Sequence, residues 1–223
     1  MKNLIAYFVP HPPIIIPEIG KGEERKIQTT ISSYQTIALE IAKFKPETII
    51  IVSPHATTYE DYFRIESGAT SKGDFTSFSA PQISCTAKHD EDFFKALEKR
   101  ANKQNFPCGT KGRQNTSIDH GTLIPLYFIN KQYTNYKLVR LSFSGMPFIT
   151  HYNYGKLIQE IIKDEPDKRF VFIASGDLSH MLKEDGPYGY ANEGPLFDKT
   201  ICDILKSGDF LKLFSMLPIA FYQ

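Results

Sequence analysis

Four of the six histidines stand in short motifs that could do chemistry. His11 and His55 each follow a proline that closes an apolar run, His120 lies in Asp-His-Gly, and His180 ends Asp-Leu-Ser-His. Neutral imidazole is the commonest side-chain metal ligand, and its ordinary pKa of about 6.5 also suits proton transfer at neutral pH. One proline-flanked histidine is equally consistent with an ordinary turn. Recurrence of the pattern favours a shared site for metal binding, proton transfer or both.

The apolar runs in front of these motifs predict strands that are buried on both faces of a parallel sheet. An amphipathic segment at residues 22–45 predicts a helix between the first two runs. Strand, helix and strand imply a right-handed crossover, so His11 and His55 lie at carboxyl ends of parallel strands, the edge where open α/β sheets bind ligands. The apolar runs span residues 4–9, 48–53 and 169–175.

The remaining patterns complete an α/β fold, with a central, mostly parallel sheet flanked by helices and a metal pocket at the carboxyl ends of its strands. Small residues between 67 and 81 predict loops, and His89 is expected to cap a helix or to be exposed. With no repeat and no linker, residues 1–223 are interpreted as one domain. Further strands are expected at 62–66, 82–86 and 137–143. Helices are expected at 90–103, 123–129, 151–163 and 193–205, and another is expected to begin at residue 209 and to be ended by Pro218.

Composition excludes several classes of function. A formal net charge of +1 over 223 residues, without a long basic block, argues against nucleic acid or an anionic membrane as the partner. No apolar stretch approaches the roughly 20 residues that span a bilayer, and the N-terminus does not resemble a secretory signal, so we expect a cytoplasmic protein. Three scattered cysteines argue against a disulfide framework and against a zinc knuckle.

Imidazoles and carboxylates without a thiolate cluster favour non-haem iron, manganese or zinc. Two histidines and one carboxylate on one face would leave positions open for substrate and dioxygen, but the acidic ligand is not obvious from the sequence. Asp119 and Asp177 either orient neighbouring imidazoles or form turns, and the pattern leaves both roles open. Carboxylates that are possible third ligands on chemical grounds are Asp177, Glu193, Asp185 and Glu60.

Five blocks resemble the class III extradiol ring-cleavage dioxygenases, in their subunit-B-like (LigB-type) superfamily and its AmmeMemoRadiSam branch, which is related to Memo proteins. The blocks occur in the family's order across nearly the whole chain, which makes the resemblance specific. They are Pro10-His11-Pro12-Pro13, Ser53-Pro54-His55, Asp119-His120-Gly121, Ser175-Gly176-Asp177-Leu178-Ser179-His180, and Pro187-Tyr188-Gly189-Tyr190 followed by Glu193-Gly194-Pro195.

The resemblance implies a ferrous-iron oxidoreductase that cleaves a catechol-type ring with dioxygen. His11 and His55 match the metal ligands, with Zn or Mn as other possible metals. His180 matches the acid or base that moves protons, and in Memo-like relatives its counterpart is drawn toward the metal. His120 matches the histidine that contacts substrate or dioxygen, while Asp177 and Tyr188 lie in the motifs expected to bind substrate. The implied partners are a small aromatic substrate and dioxygen.

The family normally continues into a segment with a glutamate, its third metal ligand, and then into closing strands. This sequence stops at Gln223, so the expectation is a domain that lacks that segment. An uncovered sheet edge would then be open to another chain, which favours a homo-oligomer. Two alternatives to ring cleavage stay open: a Memo-like protein that binds a metal or ligand without cleaving a ring, and a truncated form that no longer binds metal.

Overall fold

The computed structural model describes residues 2–216. The chain forms two compact units, Met1–Gly176 and Asp177–Gln223. The single domain expected for residues 1–223 stays a prediction. Pro218, which is expected to end the last helix, lies outside the described residues. The strands are β1 Leu4–Val9, β2 Thr48–Val52, β3 Phe63–Arg64, β4 Thr70–Phe75, β5 Ala80–Lys88, β6 Cys108–Gly109, β7 Lys137–Leu141 and β8 Phe170–Ser175. The helices are α1 Pro17–Gly20, α2 Gln28–Phe44, α3 Glu91–Lys103, α4 His120–Ile129, α5 Phe148–Asp164 and α6 Glu193–Ser207.

The first unit is built on a four-stranded sheet in the order β1-β8-β2-β7, and every neighbouring pair is parallel. The α/β fold class is therefore confirmed. The three continuous apolar runs form β1, β2 and β8, as their composition predicts. Burial on both faces holds for β2 and most of β8, whereas β1 lies at the edge of the sheet and exposes Ala6 and Phe8. Because all four strands run the same way, their carboxyl ends meet at one edge of the sheet.

The two faces of the sheet carry separate hydrophobic clusters. Successive side chains of a strand point to opposite faces, so Ile49 and Ile51 pack in one cluster while Ile50 packs in the other. The first cluster also contains the inward faces of α2 and α4, and the second those of α3 and α5. All three isoleucines have no exposed surface. Helices on both faces explain why the strand sequence is apolar without alternation.

Helix ends follow local chemistry. Residues Glu23–Ile27 form a 3-10 helix, so α2 begins at Gln28, later than the amphipathic pattern suggests. The Asp90 side chain accepts the backbone N–H of Phe93 and caps α3. The helix expected at 123–129 begins earlier, at His120, because Asp119 caps it. None of the helices within residues 2–216 combines the length and apolar character that a membrane crossing requires.

The hairpin of β4 and β5 corrects the loop that was expected between residues 67 and 81. Strand β4 alternates exposed and buried residues, but its buried positions include the small residues Ser71 and Gly73, which hide the pattern. A Cβ at Gly73 would lie 2.5 Å from the Ile118 carbonyl oxygen, so only glycine permits this approach. Backbone hydrogen bonds join Lys72 to Thr116 and to Ile118. The hairpin therefore supports the segment that leads into α4.

The expectation that His89 caps a helix or is exposed is wrong. His89 follows β5 directly, its side chain is buried, and its Nε2 lies 2.6 Å from the Ser71 hydroxyl. Burial lowers its pKa, and the nearby positive charge of Arg140 lowers it further. The adjacent Asp90 takes the capping role instead, which leaves His89 inside the protein.

The second unit contains α6 and a 3-10 helix at Phe210–Met216. The helix expected at 193–205 is confirmed with the same first residue and an end at Ser207. The segment expected to begin another α-helix at residue 209 forms the 3-10 helix instead. Leu182 and Tyr190 form an isolated antiparallel bridge across the loop before α6, which encloses Tyr188.

Candidate metal centre

Three of the predicted histidines meet at the carboxyl edge of the sheet. His11 lies two residues after β1, His55 three residues after β2, and His120 is the first residue of α4. One ring nitrogen from each lies within 4.8 Å of the others. The Nε2 atoms of His11 and His55 are 3.1 Å apart, and the rings of His55 and His120 have centroids 3.9 Å apart. We call these three residues the histidine cluster.

The spacing fits a divalent metal ion. Two nitrogens bound to one ion at about 2.1 Å, with an angle between about 90° and 110°, lie roughly 3.0 to 3.4 Å apart. The 3.1 Å between His11 Nε2 and His55 Nε2 falls in this range. Neutral imidazoles suit zinc and iron, among other transition metals. His11 and His55 can therefore hold a metal, and His120 stands close enough to be a third nitrogen ligand.

Strand-end serines hold the first two histidines. His11 is almost fully buried, and its Nδ1 lies 2.9 Å from the Ser175 hydroxyl at the end of β8. Ser53, just after β2, accepts the backbone N–H of His55 at its hydroxyl oxygen. Reasoning from the sequence missed both serines. A signal was present, because each is a polar residue that ends an apolar run immediately before a motif.

Asp119 acts as a helix cap and as a tie between segments. Its carboxylate accepts the backbone N–H of Thr122 at 3.0 Å and the Ser53 hydroxyl at 2.5 Å. This supports the turn-forming alternative, with the addition that the carboxylate joins the segments carrying His55 and His120. Gly121 matters here because a Cβ at this position would meet Ser53 and His55. The Asp-His-Gly motif thus combines a cap, an imidazole and a close backbone approach.

A buried arginine fixes the segment before His120. Arg140 lies in β7 with almost no exposed surface, and its Nη2 is 3.6 Å from the Asp119 carboxylate. It donates to the carbonyl oxygens of Asn115 at 3.2 Å and Ser117 at 2.7 Å. Burial lowers its pKa, and the Asp119 carboxylate opposes that shift. The guanidinium therefore holds both the cap of α4 and the chain leading to it.

A pocket opens beside the histidine cluster. It has a volume of about 540 Å³, and Lys72, Phe78, Ser117 and His120 are among the residues that line it. The Phe78 ring stands edge-on to the His120 imidazole, with centroids 5.2 Å apart. The size lies within the range of about 300–1,000 Å³ that is usual for small-molecule sites. His120 thus faces a space that can receive a small aromatic molecule.

The second unit holds three other predicted site residues. His180 Nε2 lies 3.5 Å from an Asp177 carboxylate oxygen, and its ring centroid is 5.0 Å from that of Tyr188. About half of the His180 side chain is exposed. These contacts bring the three residues together within their own unit, while their catalytic and substrate-binding roles stay predictions.

The third ligand expected to be acidic is not in the histidine cluster. Within residues 2–216, the cluster is made of three imidazoles and contains no carboxylate. Glu60, the acidic candidate that belongs to the first unit, packs against Gly145. The other three, Asp177, Asp185 and Glu193, belong to the second unit.

Comparison with known proteins identifies relatives. The model of a family described as the catalytic LigB subunit of aromatic ring-opening dioxygenase matches residues 5–223. Protein CA_C1420 of Clostridium acetobutylicum is 41% identical over 217 residues, which is 94% of this chain and 46% of the relative. The chain therefore spans about half the length of this curated relative. The match does not separate the Memo-related branch from others, so that branch stays a prediction.

Proposed function

The chain belongs to the family of the catalytic LigB subunit of aromatic ring-opening dioxygenase, and we propose that it is a non-haem, Fe(II)-dependent dioxygenase of the extradiol type. Its substrate would be a small catechol-type ring, opened with dioxygen. The observation that carries the proposal is the histidine cluster, whose three ring nitrogens lie within 4.8 Å of one another. The reaction and its substrate are our inference from the family and this cluster.

In this proposal His11 and His55 hold the metal, and Zn or Mn could occupy the same nitrogens. Bound iron would supply the redox chemistry that allows dioxygen to react with the ring. His120 contacts the substrate or dioxygen from the wall of the adjacent pocket, where Phe78 offers an aromatic edge to a substrate ring. The Asp119 cap and the Arg140 guanidinium keep the His120 backbone in place.

His180 is proposed as the residue that takes and returns a proton during ring cleavage. The Asp177 carboxylate lies 3.5 Å from its Nε2 and can orient the imidazole. Tyr188 lies against the same imidazole and would complete a substrate-binding surface. Positioned proton transfer of this kind contributes about 10² to 10⁴ in rate.

A second candidate is a metal-binding protein that does not cleave rings. The composition of the histidine cluster favours it, because three imidazoles without a carboxylate are a donor set that also suits zinc. Both candidates require His11 and His55 as ligands, so they differ in turnover and not in metal retention.

Anaerobic titration with Fe(II), followed by dioxygen uptake with a panel of catechols, tests both candidates. The dioxygenase proposal expects binding at micromolar iron and ring-opened product, whereas the second candidate expects binding without turnover. His55→Ala should abolish metal binding in both. The control is His151→Ala, which removes a histidine outside the cluster and should keep the metal. Absence of metal binding by the parent protein contradicts both candidates.

A further inference from the structure

A proline inside α4 leaves one backbone carbonyl without its helical donor. Pro125 lies within helix His120–Ile129, four residues after Gly121. Proline has no backbone N–H, and its ring also crowds the carbonyl four residues earlier. The Gly121 carbonyl oxygen therefore lacks the bond that residue 125 would normally donate. In a buried helix such a group needs another partner.

That partner is the hydroxyl at the end of β8. Ser175 Oγ lies 2.5 Å from the Gly121 carbonyl oxygen. A carbonyl can only accept, and two oxygens at this distance require a hydrogen between them, so Ser175 must be the donor. A serine hydroxyl has one hydrogen. Toward every other neighbour Ser175 Oγ can therefore act only as an acceptor.

The remaining neighbour is His11, whose Nδ1 lies 2.9 Å from the same oxygen. Since Ser175 has used its hydrogen on Gly121, the hydrogen of this second bond must belong to His11 Nδ1. A neutral imidazole with a hydrogen on Nδ1 has its lone pair on Nε2. His11 Nε2 is the atom that faces His55 Nε2 at 3.1 Å. The chain of bonds thus directs a lone pair into the histidine cluster.

We propose that Ser175 is a positioning residue that fixes the tautomer of His11, and that Pro125 favours this arrangement by removing the helical donor to the Gly121 carbonyl. Ser175 and His11 are 5% and 1% exposed, so water cannot easily replace either bond. The consequence for metal binding rests on the function proposed above. The tautomer itself does not, because it follows from the contacts of Ser175 with Gly121 and His11.

The direction of the effect follows from adding a second donor to this carbonyl. An alanine at position 125 restores a backbone N–H that can bond to Gly121, which occupies one of the two lone pairs of the carbonyl oxygen and weakens the bond from Ser175. A Ser175 hydroxyl released from this bond can turn and donate to His11 Nδ1. The hydrogen of the imidazole would move to Nε2, the atom needed as a metal ligand. Pro125→Ala is therefore expected to weaken metal binding even though it repairs a helix.

Nitrogen-15 NMR of the metal-free, full-length protein tests the tautomer directly, with the His11 signals assigned by their loss in His11→Gln. The parent protein should carry the hydrogen on Nδ1, and Ser175→Thr should keep it there. Ser175→Ala should give a mixture of tautomers, and Pro125→Ala should raise the Nε2–H fraction. The double variant Ser175→Ala/Pro125→Ala should have the same ratio of His11 tautomers as Ser175→Ala alone, because Pro125 acts through Ser175. A parent imidazole with its hydrogen on Nε2, or no change in Ser175→Ala, would overturn the proposal.

Titration with Zn(II), which is redox-inert, gives the second readout. Groups that orient a ligating histidine typically contribute 10- to 100-fold to metal affinity, so Ser175→Ala should bind zinc about that much more weakly. Ser175→Thr should restore most of the affinity, because it keeps the hydroxyl. Equal affinity in Ser175→Ala and parent would contradict the positioning role. A parent that shows the expected tautomer but binds neither zinc nor iron would refute the proposed function and leave the tautomer assignment standing.

Discussion

At the scale of single residues, the contact between His11 Nε2 and His55 Nε2 dominates the chemistry of the cluster. At 3.1 Å one of these nitrogens donates a hydrogen bond to the other, and a metal ion bound there would need the lone pairs of both. His180, in the second unit, has a different local setting. It is half exposed, and a carboxylate accompanies it. The two environments suit different tasks, metal binding for the first and proton transfer for the second.

This difference predicts that metal binding and turnover separate on mutation. We expect His180→Asn to keep Fe(II) affinity near that of the parent while the rate of dioxygen consumption falls about 10² to 10⁴-fold. Anaerobic iron titration and oxygen-electrode measurements on the same preparation check both values. Loss of iron from His180→Asn would instead indicate a ligand role, as in the Memo-like alternative.

At the scale of elements, carboxylates at two helix N-termini join the helices to neighbouring segments. Asp119 caps α4, and Asp90 caps α3 at the opposite side of the sheet. Each carboxylate also pairs with a cation, Arg140 in one case and Lys168 in the other. Each cap therefore joins the start of a helix to a strand or to the chain beside it. Substitution of either aspartate should destabilise these neighbouring segments as well as the helix.

Asp119→Ala should lower the free energy of unfolding by about 2–4 kcal/mol, because it removes a cap and leaves the buried Arg140 without its carboxylate. Asp119→Asn can still accept the Thr122 N–H, so it should recover the part due to capping. Urea unfolding followed by circular dichroism measures both. Equal losses in the two variants would mean that charge alone matters at this position.

Asp90 should make stability depend on pH below neutrality. Burial raises the pKa of its carboxyl, but hydrogen bonds from Lys168 and Thr48 outweigh burial and hold the pKa below its usual value. The carboxylate therefore stabilises the fold above the unfolded-state pKa of about 3.9, and this contribution is lost as pH falls from there through the lower folded value.

Urea unfolding between pH 7 and pH 2.5 checks this sign. The difference in unfolding free energy between parent and Asp90→Asn should shrink as the pH drops below about 4. Asp92, an exposed carboxylate in the first turn of the same helix, provides the matched control. The difference in unfolding free energy between parent and Asp92→Asn should change with pH much less than the difference for Asp90→Asn. A constant difference for Asp90→Asn across the range would contradict the assignment.

At the scale of the whole molecule, the cluster joins distant parts of the first unit. His11, His55 and His120 come from three separate segments, and Ser175 from a fourth. A metal that bridges them would be lost on unfolding, so its binding free energy adds to stability. The homo-oligomer and the cytoplasmic location stay predictions. Strand β1 does lie at one edge of the central sheet, with Ala6 and Phe8 exposed.

Fe(II) at about 100 times its dissociation constant should raise the unfolding free energy by about 2.7 kcal/mol under anaerobic conditions. His11→Ala and His55→Ala should abolish the increase, since each removes a bridging nitrogen. Mg²⁺ serves as a control, because it prefers oxygen ligands and should not stabilise the protein. Equal stabilisation of parent and both variants would place the bound metal elsewhere.

Local patterns in the sequence were enough to predict the parallel sheet and the edge at which His11 and His55 lie. Apolar runs such as residues 48–52 predict buried strands from composition alone, and the fixed hand of strand-helix-strand units then orients them. His11 and His55 could be assigned to one edge by these local rules. These rules did not predict strand β4, because the small residues Ser71 and Gly73 hide its alternation of buried and exposed positions. The glycine is explained by the close approach of Ile118, which is visible only in the fold.

Which side chains meet, in contrast, depends on how distant segments pack together in the fold. The contact of Ser175 with His11 joins residues 164 positions apart, and the bond from Ser175 to Gly121 spans 54. Such contacts depend on strand order and on the packing of α4 against the sheet, which no local pattern encodes. By local rules, the proline in α4 only removes a helical hydrogen bond. In the folded protein it exposes the carbonyl through which a serine directs the His11 nitrogen toward the cluster.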